Sequence, residues 1–267
     1  NIAEDHIIKF AFDTAQDLIK IGEDPIILDN KKEDRKVDPS KFLNWLMPQI
    51  KGDEMHYLLL DEVQKLGAFE SVLNGFLRNS NVDVYVTGSN SKFLSKDILT
   101  EFEGRGDEIH VLPLSFSEYY AFKQGEKGEA YDDYSVYGGL PAVALMTTEE
   151  QKTTYLISQM KNVYLRDIIL RYSVQDDVAL GEVMDVIASG ISTLTNPRKI
   201  ASTMNSVHGT TICDKTVDKY IGYAEEAFIL TRVKRYNVKG RKYIGTPYKI
   251  YFEDIGLRNA RLAFRQI

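Results

Sequence analysis

The sequence of 267 residues contains a single cysteine, Cys213. A lone thiol closes no intrachain disulfide, and no Cys or His partners stand at zinc-ligand spacing from it. Neither a disulfide framework nor a structural zinc site is expected, and Cys213 is taken as a small half-buried residue. Long apolar runs are missing too. No uninterrupted stretch approaches the ~18 to 20 residues that a membrane-spanning helix needs, and the acidic opening NIAEDH has none of the features of a secretory signal. Both absences point to a cytoplasmic chain that does not enter a membrane. Internal repeats and low-complexity tracts are also lacking. What the chain does contain is 43% hydrophobic and 27% charged residues, enough for one large core or two modest ones. Two domains with a connecting helical segment are expected.

The net charge of -6 hides an asymmetry. Residues 191 to 267 carry 14 Lys+Arg against 6 Asp+Glu, net +8, which leaves 19 against 33, net -14, on residues 1 to 190. An acidic front and a basic back suggest two jobs. The second is open to a polyanion such as DNA, or the basic half is simply a soluble domain of that charge.

Residues 1 to 128 alternate strand-like and helix-like patterns. HIIKFAF is a short β-rich run. PSKFLNWLMPQI is helical, with Phe42, Leu43, Trp45, Leu46 and Ile50 in one stripe behind Pro39. YLLL is too continuously apolar for a half-exposed strand and suits a parallel strand covered on both faces. FESVLNGFL is helical, VDVYVTGSN is the next strand, and DEIHVLPLS alternates into another. Strands separated by helices imply a layered α/β sheet, whose binding crevice lies beyond the carboxyl ends of the strands. Residues 29 to 38, DNKKEDRKVD, are expected to form a surface loop.

From 129 to 176 the pattern is helical, with Leu156, Met160, Val163, Tyr164 and Ile168 as a stripe and YGGLP as a rigid turn. This segment fits a lid or connector. From 177 to 267, VALGEVMDVIAS, NPRKIASTM and DKTVDKYIGYAEEAF form three helices, the second capped by Asn196 ahead of Pro197 and the third burying Val217, Tyr220, Ile221, Ala224 and Phe228. Two strand-like runs, ILTRVKRY and YKIYFED, follow. Three helices and a hairpin describe a winged helix, with the third helix as the groove reader in a DNA-binding version and the basic hairpin tip as the wing.

Four apolar residues followed by Asp61 and Glu62 form the pattern of a strand that serves magnesium and water in nucleotide hydrolases. Asp61 would hold the metal through water, and Glu62 would polarise the attacking water. The same residues also suit an ordinary solvated strand end. Thr87-Gly88-Ser89-Asn90 closes the next strand and would lie beside the pair if the two strands are neighbours. Ser89 or Asn90 could then position the water or the terminal phosphate, though Gly and Asn also favour turns for their own reasons. In EGRGDE, Arg105 stands between two glycines, where a guanidinium is held clear enough to stabilise a transferring phosphoryl group, though the same residues also suit a turn arginine with no partner.

Taken together and in order, LLLDEVQ, VYVTGSNSKFLSKDILTEFEGRGDEI, PLSFSEYY, YGGLP, CDKTVDKYIGYAEEAFIL and IYFEDIGLRNAR resemble a group of prokaryotic AAA+ ATPases, covering nearly the whole chain. That group joins an archaeal-type ATPase core to a winged-helix domain and a C-terminal region of unknown function. The resemblance implies ATP and Mg2+ as cofactors, with Asp61 and Glu62 as the Walker B pair, Thr87 and Ser89 beside the nucleotide, Asn90 or Ser89 as sensor, and Arg105 as arginine finger. Hydrolysis would change the angle between core and winged helix.

One departure stands out: no G-x-x-x-x-G-K-[ST] loop occurs in the 267 residues, so the backbone cradle and lysine for the β- and γ-phosphates are missing. In the family that loop precedes the segment resembling EDHIIKFAF, and its strand lies between the sensor strand and DEIHV. Omitting it would expose two interior edges, so a preceding segment is expected, as is a continuation beyond GLRNARLAFRQI. Two readings follow. The first is an ATPase whose winged helix engages DNA or a protein partner, DNA through Lys215, Lys219, Lys239, Arg241 and Lys242, with self-association if Arg105 acts between subunits. The second is a non-catalytic scaffold on a degenerate ATPase fold. Asp214, Asp218, Glu225 and Glu226 on the third helix weigh against groove reading.

Overall fold

A computed structural model describes residues 3–28, 35–88, 106–207, 211–234 and 247–265. The chain divides into two compact units, residues 1–109 and 110–267.

The first unit is built on three parallel strands, Ile7–Ala11 (β1), His56–Asp61 (β2) and Val82–Val86 (β3), in that spatial order. Their register pairs Ile8 with Leu58 and Leu58 with Val84. Along β2, His56, Leu58 and Leu60 are buried while Tyr57 and Leu59 are only half-buried, so the YLLL run has one fully covered face and one partly covered face among the described residues. Helices Ala15–Lys20 (α1), Pro39–Leu46 (α2) and Phe69–Phe76 (α3) supply the covering layers.

Asp38 caps α2 by accepting the Ser40 N–H at 2.8 Å, ahead of Pro39. The helix ends at Leu46, earlier than the apolar stripe suggests, because Pro48 has no N–H to continue the ladder. Phe42 and Leu46 are fully buried, each contributing about 1.5–3 kcal/mol. Phe42 meets Phe10 and Phe12 with ring centroids 5.2 and 5.0 Å apart. Two expectations change here. Val37, placed in a surface loop, is buried and bridges Leu66. The DEIHVLPLS run is irregular, with Val111 85% exposed, because alternation makes a strand only where a ladder partner exists and none of the described strands offers one.

The second unit is mainly helical: Phe116–Lys123 (α4), Lys127–Tyr137 (α5), Pro141–Ala144 (α6), Glu149–Ser158 (α7), Arg166–Tyr172 (α8), Asp177–Ser189 (α9), Pro197–Val207 (α10), Asp214–Glu226 (α11) and Ile255–Arg261 (α12). A π-helical stretch, Gln159–Leu165, joins α7 to α8 and shifts the phase of the stripe so that Leu156, Met160, Leu165 and Ile168 all face one core. That core also takes Leu180 and Met184 from α9, Met204 from α10 and Ile221 from α11. An antiparallel pair, Leu230–Val233 (β4) and Lys249–Phe252 (β5), completes it. Thr195, between α9 and α10, bridges Tyr248 at the start of β5. Phe228, expected in the stripe of α11, lies past the helix end at φ 53 and is half-buried, because α11 stops at Glu226.

The YGGLP turn and the distant EDIGLRNAR segment form one constellation. Asp254 is 3% exposed and caps α12 by accepting the Leu257 N–H at 3.0 Å on one oxygen, while its other oxygen accepts the Gly139 N–H at 2.7 Å. Asn259 donates to the Val136 carbonyl at 2.8 Å, and Arg258 donates from Nε to the Ala188 carbonyl at 3.0 Å. A side chain at position 139 would place its Cβ 2.1 Å from the Leu114 carbonyl oxygen, so this turn has room only for glycine there. Among the described residues no helix is long and apolar enough to cross a membrane.

Candidate functional site

The carboxyl ends of β1, β2 and β3 bring four chemically capable side chains to one edge of the sheet. Because β2 and β3 are neighbours, Thr87 stands directly beside the DE pair. The Thr87 N–H donates to the Leu60 carbonyl at 2.9 Å, and its hydroxyl donates to Asp61 Oδ1. The same hydroxyl accepts the Glu62 N–H at 3.4 Å, and the Thr87 carbonyl accepts the Val63 N–H at 3.3 Å. Asp61 is exposed at the strand end, with its own carbonyl accepting the Phe12 N–H at 3.0 Å.

Glu62 turns the chain sharply. Its φ of 54 and ψ of 41 put it in the left-handed region, which non-glycine residues rarely adopt and which recurs at functional sites. Its carboxylate is half-buried and accepts a hydrogen bond from Gln64 Nε2. Burial pushes the Glu62 carboxyl above its ordinary range, and the nearby negative charges of Asp13 and Asp61 add to this against the opposing pull of Gln64 and Lys65. Asp13, just past β1, is the group that sequence reasoning missed. Its signal was the acid closing HIIKFAFD, one strand before the DE pair. Behind it, Asp17 accepts the Ala11 N–H at 2.8 Å and pairs with Lys20 at 2.5 Å. Burial alone would raise Asp17, but Lys20 and the Ala11 N–H outweigh it and hold its carboxyl below the ordinary value.

Among the described residues no three His, Cys, Asp or Glu side chains converge as a metal cage.

Residues 7–120 match the sequence pattern of a family described as AAA domain, and residues 128–266 match a domain of unknown function (DUF8612). The chain joins an AAA domain to a DUF8612 domain. This chain is 34% identical over 212 residues to an uncharacterized protein of Haemophilus influenzae, covering 78% of this chain and 52% of that relative. It is 24% identical over 219 residues to an uncharacterized protein of Methanocaldococcus jannaschii, covering 78% and 48%. The chain thus spans about half the length of the curated relatives it matches. Among solved structures, the Walker-type ATPase of Pyrococcus abyssi superposes with a TM-score of 0.54 over 96% of this chain and 91% of its own, at 11% identity. That likeness concerns the fold.

Of the other residues singled out in this chain, Ser89, Asn90, Arg105, Lys239, Arg241 and Lys242 lie outside the described residues. Lys215 and Lys219 are exposed on α11, the latter with its ammonium 5.6 Å from the Tyr223 ring. Arg232 of β4 is engaged by acids of α11, donating to Glu225 at 2.7 Å and Asp218 at 2.6 Å. Cys213, expected to be half-buried, is exposed, because it sits at the N-terminal boundary of α11 ahead of the first buried residue of that helix, with its thiol 3.2 Å from the Thr216 hydroxyl.

Proposed function

We propose that this chain contributes the metal-side and water-side groups of an ATP-hydrolysing site. The observation that carries the reading is the contact of the Thr87 hydroxyl with Asp61 at the adjoining ends of β2 and β3, with Glu62 next in sequence. Magnesium, when bound, would neutralise charge on the phosphate oxygens. Asp61 would orient the water shell of that ion, with Thr87 fixing its carboxylate. Glu62 would accept a proton from the attacking water, and the environment that raises its proton affinity makes it a better base than a solvated glutamate. Ser89 or Asn90 would sense the terminal phosphate, and Arg105 would stabilise charge on it from the same or a neighbouring subunit. None of the 267 residues forms a G-x-x-x-x-G-K-[ST] loop, so turnover requires that cradle from outside them.

The second reading is a scaffold without catalysis. Glu62→Gln in the full-length gene product separates the two. The expected result is a loss of ATP turnover by about 10²-fold. Turnover equal to wild type would refute the assignment of Glu62, and a wild-type protein with no turnover would favour the scaffold.

For the helical unit we propose a winged helix of α9, α10 and α11 with β4 and β5 flanking the wing, serving as the surface that engages DNA or a protein. The bridge between Thr195 and Tyr248, which ties the α9–α10 connection to β5, supports this arrangement. The pairing of Arg232 with Asp218 and Glu225 neutralises one flank of α11, which favours backbone contacts by Lys215 and Lys219 over reading of base edges.

A further inference from the structure

Glu62 and Gln64 sit on one short turn, Glu62–Lys65, that is held on several sides. The Lys65 N–H donates to the Glu62 carbonyl at 2.9 Å and the Leu66 N–H to the Val63 carbonyl at 3.0 Å. From the segment before α2, Lys36 Nζ donates to the Gln64 carbonyl at 2.7 Å and the Val37 N–H to the Lys65 carbonyl at 2.8 Å. Val63 and Leu66 anchor the turn in the core. On this rigid base, Gln64 Nε2 donates to Glu62 Oε2, and among the described residues no other side chain hydrogen-bonds that carboxylate.

The other end of the Gln64 amide makes the arrangement telling. Its Oε1 is buried and has no hydrogen-bond partner among the described residues. Turning the amide over would press Oε1 against a carboxylate oxygen, two acceptors in contact, so Glu62 dictates which way the amide lies. A buried acceptor left unpaired is a cost to stability. An apolar side chain of the same length, such as methionine, would therefore serve the fold at least as well. What glutamine alone supplies here is the N–H on Glu62.

We infer that Gln64 is a positioning residue: by holding Glu62 Oε2 it orients the carboxylate so that Oε1 is free to meet the attacking water. The inference rests on the reading of Glu62 as the group that polarises that water. In the step so served, the water oxygen forms a bond to the terminal phosphorus as the bond from phosphorus to the bridging oxygen breaks. ADP leaves with that electron pair, and the water proton passes to Glu62 Oε1. Gln64 exchanges nothing. It limits the rotation of the carboxylate about its last torsion, a freedom that would otherwise place the accepting oxygen out of line for part of the time.

The test is a double-mutant cycle on the full-length gene product, with ATP turnover, KM for ATP and thermal midpoint measured for wild type, Gln64→Met, Glu62→Gln and the double variant. The expected result is a fall in kcat of about 10- to 100-fold for Gln64→Met with KM and midpoint little changed. In the Glu62→Gln background the second substitution should do nothing further, since the two residues act as a unit. Gln64→Glu, equal in shape but lacking the donor, should repeat the loss if the methionine variant does not fold. Gln64→Met at wild-type turnover while Glu62→Gln is impaired would overturn the inference and leave the reading of Glu62 standing. A multiplicative loss in the double variant would also overturn it. Glu62→Gln at wild-type turnover, or no turnover in the wild type, would overturn the reading and the inference together.

Discussion

Replacing Asp254 by alanine removes one side chain that two distant segments share, and the structure sets the size of the effect. The Leu257 N–H loses its capping acceptor, a change that costs about 1 kcal/mol at a typical helix N-cap. The Gly139 N–H loses a charge-assisted bond at 2.7 Å in a buried site, worth about 1.5–3 kcal/mol. Against these stands the relief of taking a carboxylate out of a place where burial pushes its pKa up despite three main-chain N–H groups pulling it down. The expected net loss is about 2–4 kcal/mol from the helical unit. Asp254→Asn keeps one accepting oxygen and aims an amide donor at the other N–H. It should therefore fall about midway, because the two N–H groups use different oxygens.

Denaturant unfolding followed by two probes measures this. Trp45 is the single tryptophan and packs on Phe10 and Phe42 in the first unit, with centroids 5.1 and 6.1 Å away, so its fluorescence reports that unit. Far-UV ellipticity is dominated by the helices of the second. The ellipticity transition should move to lower denaturant in Asp254→Ala. A shift under about 0.5 kcal/mol, the level of an ordinary surface substitution, would refute the view that Asp254 joins the YGGLP turn to α12.

Asp133 accepts from Tyr119 and from the buried Lys152. Burial alone would raise its pKa, but Lys152 and Tyr119 outweigh it and bring it below 3.8. A depressed folded-state value means that its contribution is fully present above that pH and is lost as pH falls through the lower value. Asp133→Asn should flatten the stability curve below about pH 4, and an unchanged acid slope would contradict this. At low salt the full-length protein should bind duplex DNA, with log K falling linearly in log salt. Replacing Lys215 and Lys219 together should reduce that slope by about 2. No binding at low salt would remove nucleic acid from the account.

Much of the first unit was legible because its signals are local. Pro39 after Asp38, the stripe through Phe42 and Leu46, and an apolar run ending in two acids each depend on neighbours within a turn or a strand. Two of the misplacements concern a partner and one concerns the end of a helix. DEIHV has the alternation of a strand, but no described strand pairs with it. Phe228 continues a helical spacing beyond the residue where the helix stops. Val37 lies next to a run of charged residues and is nevertheless buried by its bridge to Leu66.

At the candidate site, sequence by itself determined which residues end the strands, and so which types of group stand at the crevice edge: Asp61, Glu62 and Thr87. It also shows that no G-x-x-x-x-G-K-[ST] motif occurs within these 267 residues. Tertiary structure decided the rest. That Thr87 touches Asp61 follows from β2 and β3 being neighbours, a fact of strand order that periodicity does not encode. Asp13 joins them because β1 pairs with β2 in register. The left-handed turn at Glu62, which sets its carboxylate against Gln64, depends on hydrogen bonds from Val37 and Lys36, nearly thirty residues earlier. Likewise nothing in the pattern of the sequence links Gly139 to Asp254, 115 positions further on. A backbone N–H that packing has cut off from water needs an acceptor, and only the folded chain decides which side chain is near enough to supply it.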